Sequence, residues 1–569
     1  MKLTDEQKDI INFEGDLKVN AVAGSGKTTT ILEYAKHRPS KPILYLAFNK
    51  SVKAEAEQKL SKQGIRNVKV ETAHSLAFRQ IVPHSRYKIR FDYKPQEVVQ
   101  ILGIPSMPGE LTHLKLASHV MRFVRYFCNS DARKVADLNY LDTIYQPESI
   151  HFVTQQYELI LHYTRHFLAK MHKAEIEIIH DFYLKQFQLS QIQLPYKYIL
   201  FDEGQDASPS MLSAFLNQSA KKLIIGDQHQ QIYGWRFATN ALQQVDFTVK
   251  HLSYSFRFNE EIALLAKNVL HLKAQIGLNG RSQIHGMGRH QSIANRATLA
   301  RSNSALLTRA IELLIQQREL KSIYFEGQLS SYTFSDEGGS VYDILNLYNG
   351  ERHQIRDPLI AGIPSFDHLK DYVEETEDTS LKSLVDLVEK YHNDIPFFMK
   401  RIKDCHVDEA NRDQADMVFS TVHKSKGLEY DEVFLQDDFV SEQNLMDLQG
   451  AIKAKEVDPK TLEEEINLLY VAVTRTKSLL HIPIRLLPTG FYVEGMKSIT
   501  TGTNLKIKKE VARQKATKKY AKWTKQEEAE LTQLFLSGKS IQTVSRLLGR
   551  TQSSVKNRIE KLDLWDRFY

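Results

Sequence analysis

The stretch Ala21-Val22-Ala23-Gly24-Ser25-Gly26-Lys27-Thr28 (residues 21–28) decides the fold, because it has the composition of a phosphate-binding loop. Two glycines allow a tight turn whose backbone N–H groups point at a phosphate, and a helix starting near Lys27 directs its positive end there. The Lys27 ammonium would reach the β- and γ-phosphates, and the Thr28 hydroxyl would take one position around Mg²⁺. The strict pattern begins with glycine, where this chain has Ala21. The predicted phosphate-binding residues are Ala23, Gly24, Ser25, Gly26, Lys27, Thr28 and Thr29.

A second segment, Phe201-Asp202-Glu203-Gly204-Gln205-Asp206, supplies the acidic half of a nucleotide triphosphatase site. It continues the apolar run Tyr198-Ile199-Leu200-Phe201, which is typical of a buried parallel strand. Open α/β sheets bind ligands at the carboxyl ends of such strands. We expect Asp202 to hold Mg²⁺, directly or through water, and Glu203 to orient and deprotonate the attacking water. The alternative for this pair is a solvated acidic turn.

The composition is that of a globular chain, and its 569 residues are enough for about three or four domains. No apolar run is long enough to cross a membrane, and residues 1–8 lack the apolar core of a secretory signal. We therefore expect a soluble cytoplasmic protein, associated with the nucleoid if its source is bacterial. Cys128 and Cys405 have no metal-ligand spacing, which supports neither a disulfide framework nor a zinc site. The net charge of +7 suits an anionic polymer as partner, although many mildly basic proteins have none.

Five further segments carry polar and charged residues after short apolar runs. They are Leu223–Arg236, Leu252–Arg257, Ala300–Asn303, Ser420–Tyr430 and Glu464–Lys477. In order and spacing these motifs resemble those of the superfamily 1 DNA helicases of the UvrD/Rep type, over residues from about Leu3 to about Ile484. With Tyr45–Val52 and Thr72–Ser75 included, the motor core is most similar to that of the F-box DNA helicases, although we recognise no F-box. The resemblance implies an α/β fold with two RecA-like parallel-sheet motor domains and helical insertions.

The same resemblance implies roles for further residues at the nucleotide. Gln7 matches the glutamine that reads the adenine, and Gln230 matches a glutamine near the γ-phosphate. Arg257 and Arg475 match two arginines that the second motor domain contributes to the phosphates, and Glu429 matches a residue near the sugar. Arginines supplied across a cleft stabilise the charge on the γ-phosphoryl oxygens and are worth roughly 10³–10⁵ in rate. For an isolated arginine the alternative is a surface ion pair. The implied catalytic residues are Lys27, Asp202, Glu203, Gln230, Arg257 and Arg475, and the implied cofactors are ATP and Mg²⁺.

The resemblance also points to a track that grips single-stranded DNA. Aromatic side chains stack on bases at about 1–3 kcal/mol per base whatever the sequence, which suits a translocating enzyme. The alternatives are that Tyr233 and Trp235 pack a domain interface, and that the two histidines are structural. The implied track residues are Phe48, Thr72, His74, Tyr233, Trp235, Arg236 and His423.

The chain departs from the family pattern at two positions. Gly204 stands where alanine is usual, and Phe237 stands where glycine usually follows the tryptophan-arginine pair. We expect Phe237 to alter the local path of the chain. Neither change affects a charged catalytic position, so we expect activity to be retained.

Alternation of strand and helix patterns predicts the domain boundaries. The first motor domain is predicted over 1–80 and 195–249, with a helical insertion over 81–194. The second is predicted over 250–307 and 415–487, with a short accessory insertion over 308–414.

Beyond the motor, a basic linker over 488–522 precedes a compact segment over 523–569. Thr524 and Glu527 predict a capping box that begins the first of three short helices. The segment resembles a helix-turn-helix of the Myb/SANT kind, in which Arg550 and Lys556 would face DNA. Docking of a protein partner is the alternative.

The resemblance implies an ATP-dependent helicase and translocase that moves 3′ to 5′ on single-stranded DNA and at DNA junctions, in repair or recombination. A second hypothesis keeps the ATPase but makes it a translocase that strips recombinase filaments or other proteins from DNA with little unwinding. A third makes the chain a DNA-binding regulator that uses its ATPase as a switch, against which Lys27, Glu203, Arg257 and Arg475 together argue. The C-terminal segment would attach duplex DNA or a protein partner.

Overall fold

The computed structural model describes two compact units, residues 1–494 and 495–569, and each is treated by itself. In the first unit the described residues are 3–106, 111–289, 292–317, 319–334, 338–453, 457–489 and 491. In the second they are 523–536, 541, 544, 548, 550, 552–562 and 564. The predicted basic linker over 488–522 lies outside the described residues apart from 488, 489 and 491. Of the helices that the structure describes, none combines the length and the hydropathy that crossing a lipid bilayer requires.

Six parallel strands form the sheet of the first domain, in the order β3-β2-β4-β5-β1-β6. The strands are β1 (Leu17–Ala21), β2 (Ile43–Ala47), β3 (Val68–Thr72), β4 (Tyr198–Phe201), β5 (Lys221–Gly226) and β6 (Thr248–Leu252). Every residue of β2 and β4 is buried, as in parallel strands that are covered on both faces. Since all strands are parallel, the phosphate-binding loop after β1 and the acidic pair after β4 lie at the same edge of the sheet.

Short polar residues cap several helices of this domain. Thr4 forms a capping box with Gln7, Asn49 accepts a hydrogen bond from the Val52 N–H at 2.8 Å, and Thr72 accepts one from the Ser75 N–H at 3.1 Å. The helices of the first domain are Asp5–Ile11, Lys27–Lys36, Lys50–Lys62, Ala73–Ile81, Pro209–Leu216 and Ala241–Gln244.

A helical insertion separates β3 and β4, as predicted. Its four helices are Pro95–Leu102, Thr112–Asn129, Pro147–His172 and His180–Ser190. Buried aromatic side chains pack between them, and the rings of Phe123 and Tyr140 stack at a centroid distance of 4.7 Å. Cys128 is a buried free thiol in this insertion, and Cys405 is another, farther along the chain.

Five parallel strands form the sheet of the second domain, in the order β10-β11-β9-β12-β13. The strands are β9 (Arg296–Ala300), β10 (Ile323–Phe325), β11 (Met417–Thr421), β12 (Tyr430–Leu435) and β13 (Thr476–His481), and a separate pair is formed by β7 (Tyr254–Ser255) and β8 (His285–Gly286). The helices are Glu260–His271, Asn303–Ile311, Val422–Ser425, Glu442–Asp447, Gln449–Lys453 and Pro459–Val473, with a π-helical turn at Glu312–Gln316. Two parallel-sheet domains with helical insertions confirm the predicted fold class.

Two predicted boundaries differ from the structure. β6 pairs with β1 and extends to Leu252, so the first sheet does not end at residue 249. The segment 308–414, predicted as the accessory insertion, contains β10, which pairs with β11 and belongs to the second sheet. A strand of three residues is too short to produce a recognisable hydrophobic pattern, which explains the second difference.

The accessory insertion is a group of helices between β10 and β11. They are Ser330–Thr333, Val341–Tyr348, Pro358–Gly362, Phe366–Thr376, Thr379–Tyr391 and Ile395–Cys405. Their buried side chains share one apolar cluster with Leu111 and Leu114, which belong to the first insertion. The two insertions therefore pack together as one body.

Ion pairs surround the contact between the insertions. Arg122 lies 2.7 Å from Glu377, and Lys115 lies 2.7 Å from Glu375. Glu377 also accepts hydrogen bonds from the backbone N–H groups of Tyr145 and Gln146, both at 2.6 Å. Its carboxylate, with a side-chain exposure of 9%, thus holds three donors of the first insertion.

The C-terminal unit contains the described helices Lys525–Leu536 and Gln552–Lys561. Leu531, Phe535, Val544, Val555 and Ile559 share its small apolar core. The Thr524 hydroxyl accepts a hydrogen bond from the Glu527 N–H at 3.2 Å, and the Glu527 carboxylate accepts one from the Thr524 N–H at 3.2 Å. The predicted capping box is therefore confirmed.

Arg550 differs from its predicted position on a DNA-binding face. Its residue surface is only 5% exposed, and its guanidinium lies 2.8 Å from Glu527 and 4.7 Å from the centroid of the Trp523 ring. The prediction that Arg550 faces DNA is thereby corrected, because the acidic cap and the indole already hold this cation. Lys556 is exposed, so its contact with DNA stays a prediction, as does the helix-turn-helix itself, part of whose middle segment lies outside the described residues.

Substituting Glu377 should loosen the contact between the insertions. Glu377→Ala would leave Arg122 and two backbone N–H groups without their acceptor, and we expect a local destabilisation of about 2–4 kcal/mol. Hydrogen exchange of the amides in Phe366–Thr376 would then be faster than in the unmodified protein. Asp367→Ala, which removes an exposed carboxylate from the same helix, is the matched control. Equal exchange in both variants would contradict this account of the contact.

Candidate nucleotide and DNA sites

The phosphate-binding loop has the backbone that its glycines allow. Gly24 and Gly26 have φ values of +73° and +79°, in the left-handed region, and the helix Lys27–Lys36 starts directly after them. A Cβ on Gly24 would lie 2.6 Å from Cβ of Arg257, so the loop packs directly against the second domain. The buried Ser25 hydroxyl has no hydrogen-bond partner among the described residues. This hydroxyl and the open turn fit a bound phosphate.

The acidic pair lies opposite this loop. Nζ of Lys27 is 2.8 Å from Oε1 of Glu203, and the Tyr45 hydroxyl donates a hydrogen bond to Oδ2 of Asp202 at 2.7 Å. Glu203 has a φ of +53°, an uncommon value for a residue with a side chain, and Gln205 donates a hydrogen bond to its carboxylate. The backbone and Gln205 together fix the direction of the Glu203 carboxylate.

The two carboxyl groups differ in acidity. Burial, together with the charge of Glu203, raises the pKa of Asp202. Burial alone would also raise the pKa of Glu203, but the ammonium groups of Lys27 and Lys426 outweigh it and lower that pKa. Glu203 is therefore the more acidic member of the pair, and Lys27 holds its carboxylate.

Arg475 reaches the site from the second domain. It is 1% exposed, its Nε donates to the Val471 carbonyl at 3.0 Å, and its Nη2 lies 3.5 Å from Oε1 of Gln230 in the first domain. Burial, with a smaller effect from nearby Arg257, lowers the pKa of Arg475 to about 9, so the side chain remains a cation at neutral pH. The structure therefore places Arg475 and Gln230 on opposite sides of one cleft.

Arg257 lies beside Arg475 and the phosphate-binding loop. Its Nε lies 2.8 Å from Oε2 of Glu429, and its Nη1 donates to the Thr474 carbonyl at 3.0 Å. The Phe256 N–H donates to the Gly24 carbonyl at 2.9 Å, which joins the two segments. Glu429, predicted near the sugar, is thus also the ion-pair partner of Arg257.

Phe256 is a site residue that the sequence argument missed. A Cβ on Gly26 would lie 3.2 Å from Nε2 of Gln7 and 3.9 Å from the Phe256 ring, so an amide and an aromatic ring meet beside the loop. Gln7 is buried and also donates to the Thr30 hydroxyl at 3.2 Å. An amide and a ring are suited to a nucleobase, and the position of Phe256 directly before Arg257 was the available signal. Tyr45 was also missed, since its partner Asp202 is distant in sequence.

Five of the predicted track residues lie together. Phe48 and Tyr233 stack at a centroid distance of 5.6 Å, and the Tyr233 hydroxyl donates to the His423 carbonyl of the second domain at 2.9 Å. Trp235 is 58% exposed, and the Arg236 guanidinium lies 4.5 Å from the centroid of its ring. Tyr233 therefore serves the domain interface, whereas Trp235 presents an aromatic face to solvent. We call the segment Tyr233–Phe237 the track loop.

Thr72 and His74 have different surroundings, whereas His423 lies beside Tyr233. The Thr72 hydroxyl caps the helix Ala73–Ile81, and Nε2 of His74 lies 3.3 Å from Oδ1 of Asp181 in the first insertion. Burial, followed by the charge of Arg301, lowers the pKa of His423 to about 4, so its imidazole is neutral at neutral pH. His423 packs against Tyr233 with a centroid distance of 6.0 Å.

Lys426 joins the track to the acidic segment, which the sequence argument did not foresee. It extends from the second domain, forms an ion pair with Asp206 and donates to the Gln230 carbonyl at 2.5 Å. Its Nζ also lies 5.0 Å from the centroid of the Tyr233 ring. The nucleotide site and the track therefore share one buried cation.

The two departures from the family pattern have local explanations. A Cβ on Gly204 would lie 2.5 Å from Cγ1 of Ile224, so in this chain the Ile224 side chain fills that space. Phe237 has a φ of +58°, the left-handed conformation that a glycine adopts readily. The effect of Phe237 on the local path of the chain stays a prediction.

The metal ligands that the sequence predicts are few. Among the described residues there is no group of three or more His, Cys, Asp or Glu side chains that could hold a metal ion. A Mg²⁺ ion held by the Thr28 hydroxyl and Asp202 would take its other ligands from water and phosphate oxygens, which is usual for this ion. The residues present fit that mode of binding.

Comparisons with known proteins agree with this arrangement. The family model for the UvrD/REP helicase N-terminal domain matches residues 3–246, and the model for the UvrD-like helicase C-terminal domain matches residues 365–485. F-box DNA helicase 1 of Gallus gallus is 31% identical over 517 residues, which cover 84% of this chain and 49% of that protein. F-box DNA helicase protein 1 of Schizosaccharomyces pombe is 29% identical over 522 residues, which cover 84% of this chain and 57% of that protein.

The chain thus spans about half the length of the curated relatives that it matches. The two family models together match more than half of the chain, and the predicted catalytic side chains, the cleft and the two sheets described above all lie in the first unit. The chain belongs to the UvrD-like helicase family.

Proposed function

We propose that this chain is an ATP- and Mg²⁺-dependent DNA helicase that moves along single-stranded DNA. The observation that carries the proposal is the meeting of Lys27, Glu203 and Gln230 of the first domain with Arg475 of the second, beside the exposed ring of Trp235. Both relatives compared above are named DNA helicases, which supports the same activity here.

The residues at the cleft fit this chemistry. ATP supplies the γ-phosphoryl group whose transfer to water drives the motor. The loop from Ala23 to Thr29 would hold the phosphates, and Gln7 and Phe256 would hold the base. Thr28 and Asp202 would bind Mg²⁺, and Tyr45 orients Asp202 by its hydrogen bond.

Lys27 has two competing partners in this mechanism. In the structure its ammonium is held by Glu203, whereas a phosphate at the loop would attract it away. Glu203 would then lose a cation that lowers its pKa, and would become a better acceptor for the proton of the attacking water. Phosphate binding at the loop would therefore release Glu203 from Lys27 and make its carboxylate available as the general base.

Arg257 and Arg475 supply the positive charge that the reaction requires. Each is fixed by backbone carbonyl groups of the second domain, so little reorganisation is needed when charge develops on the phosphoryl oxygens. Because Arg475 approaches Gln230 across the cleft, hydrolysis would depend on closure of the two domains. Each ATPase cycle would therefore close and reopen the cleft, and the two domains would bind the strand alternately.

The track supports movement on single-stranded DNA of any sequence. Trp235 would stack on a base, and Arg236 would meet phosphates. Separately, Lys556 of the C-terminal unit would meet the phosphates of duplex DNA. The 3′-to-5′ direction, action at junctions and a role in repair or recombination follow from the family resemblance and belong to this proposal.

A second candidate function is removal of recombinase filaments or other proteins from DNA with little unwinding. The contact between the two insertions favours it, because an accessory insertion packed on the first insertion has less freedom to swivel. In this candidate the ATPase and the track work as above, and the C-terminal unit holds duplex DNA or a protein partner.

Displacement of a labelled strand tests the proposal directly. Duplexes with a 3′ or a 5′ single-stranded tail would be incubated with the protein, ATP and Mg²⁺, with Lys27→Ala as the inactive control. We expect unwinding of the 3′-tailed duplex alone. ATP hydrolysis without unwinding of either duplex would favour the protein-stripping translocase, and unwinding of the 5′-tailed duplex alone would refute the direction.

Replacing Glu203 tests the assignment of the base. Glu203→Gln keeps the shape of the side chain but removes the proton acceptor, so we expect a fall in ATP turnover of about 10²–10⁴-fold with ATP and strand binding retained. Glu55→Gln, at an exposed position of a surface helix, is the matched control. Full turnover in Glu203→Gln would sink the assignment.

Replacing Arg475 tests the contribution of the second domain. Arg475→Ala should lower turnover by about 10³-fold or more, with a milder loss of ATP binding, because its charge acts mainly in the transition state. Arg309→Ala, which removes a half-exposed i,i+3 ion pair of the same domain, is the control. The assignment fails if single-turnover measurements give the same rate for both variants.

A further inference from the structure

The track loop ends in a residue that is held in an unfavourable conformation. Phe237 has a φ of +58°, and its N–H donates to the Gly234 carbonyl at 2.8 Å to close the short 3-10 helix Gly234–Arg236. Left-handed backbone costs an L-residue with a side chain about 1–2 kcal/mol, a cost that glycine would avoid. We therefore expect the phenylalanine ring to make a favourable contact that offsets this cost.

The Phe237 ring contacts the first insertion. Its centroid lies 5.2 Å from that of Tyr126, with an angle of 33° between the planes. Tyr126 stacks on Phe123 at 6.2 Å, and Phe123 stacks on buried Tyr140 at 4.7 Å. These four rings form a column that connects the track loop to the core of the insertion.

The rest of the track loop is anchored on its other side. The Ala238 N–H donates to the Tyr233 carbonyl at 3.3 Å, and the Thr239 N–H donates to the Ala207 carbonyl at 2.8 Å. These bonds fix the backbone at the base of the loop within the first domain. Trp235 lies between Tyr233 and Phe237 in sequence and is 58% exposed.

We propose that Phe237 is a positioning residue for strand binding, which stacks on Tyr126 and so fixes the track loop to the first insertion. Trp235 is then held in one orientation before a base arrives, and less conformational freedom is lost on binding. This inference rests on the proposed function, because the expected effect of the contact is tighter binding of single-stranded DNA.

The test uses the full-length protein with Phe237→Gly. This variant removes the ring and also relieves the left-handed strain, so loss of folding is not expected. The concentration of oligothymidylate that gives half-maximal stimulation of the ATPase should rise about two- to tenfold, the range that one aromatic pair contributes.

Variants of Tyr126 provide the controls. Tyr126→Ala should raise the half-saturating DNA concentration as Phe237→Gly does, whereas Tyr126→Phe retains the ring and should behave as the unmodified protein. The double variant Phe237→Gly/Tyr126→Ala should be no worse than either single variant, since both remove one contact. Additive effects, or a wild-type DNA dependence in Phe237→Gly, would overturn the inference.

A measurement without DNA separates this inference from the proposed function. With Trp523 and Trp565 replaced by phenylalanine, Trp235 is the only tryptophan, because the chain has three. Phe237→Gly in this background should lower the fluorescence anisotropy of Trp235, and unchanged anisotropy would contradict the inference. Absence of any DNA stimulation in the unmodified protein would instead contradict the proposed function, while the anisotropy would still decide whether Phe237 orders Trp235.

Discussion

Lys426 crosses the cleft between the two sheets and pairs with Asp206, and both groups are largely removed from water there. A buried charge is stable only beside a partner that replaces its hydration, and separating such a pair is costly. Two further polar contacts cross the cleft and would also be costly to separate. Arg475 approaches Gln230, and the Tyr470 hydroxyl donates a hydrogen bond to Asp227 at 2.8 Å. The relative position of the two domains is therefore set by polar groups that are also the groups of the nucleotide site.

The same contacts connect the nucleotide site to the track. The Lys426 ammonium lies near the rings of Tyr233 and Phe48, and the Tyr233 hydroxyl bonds to the second domain. A base that displaces or polarises these rings would alter the surroundings of Lys426 and, through it, the charge at Asp206 and Glu203. Coupling between two sites requires an element whose state both of them influence, and the domain interface is such an element. The joined insertions supply a frame on which the track loop rests.

The sequence was sufficient for the parts of the account that depend on local patterns. The glycine turn before Lys27, the buried strand before Asp202 and the capping box at Thr524 were all predicted and observed. Contacts between distant segments were not predictable, because nothing local brings Tyr45 to Asp202 or Lys426 to Asp206. Arg550 was predicted wrongly for the same reason: its partner Glu527 lies 23 residues earlier in the sequence, on the helix Lys525–Leu536.

The central claim is that the nucleotide site and the track depend on one set of contacts across the cleft. The most direct test is the steady-state rate of ATP hydrolysis by the full-length protein over a titration with single-stranded DNA, with Lys27→Ala to exclude a contaminating ATPase. Coupling energies between two sites commonly correspond to about 5- to 150-fold changes, and we predict a saturable increase of that size. A rate that is abolished by Lys27→Ala but is the same at every DNA concentration would contradict the claim.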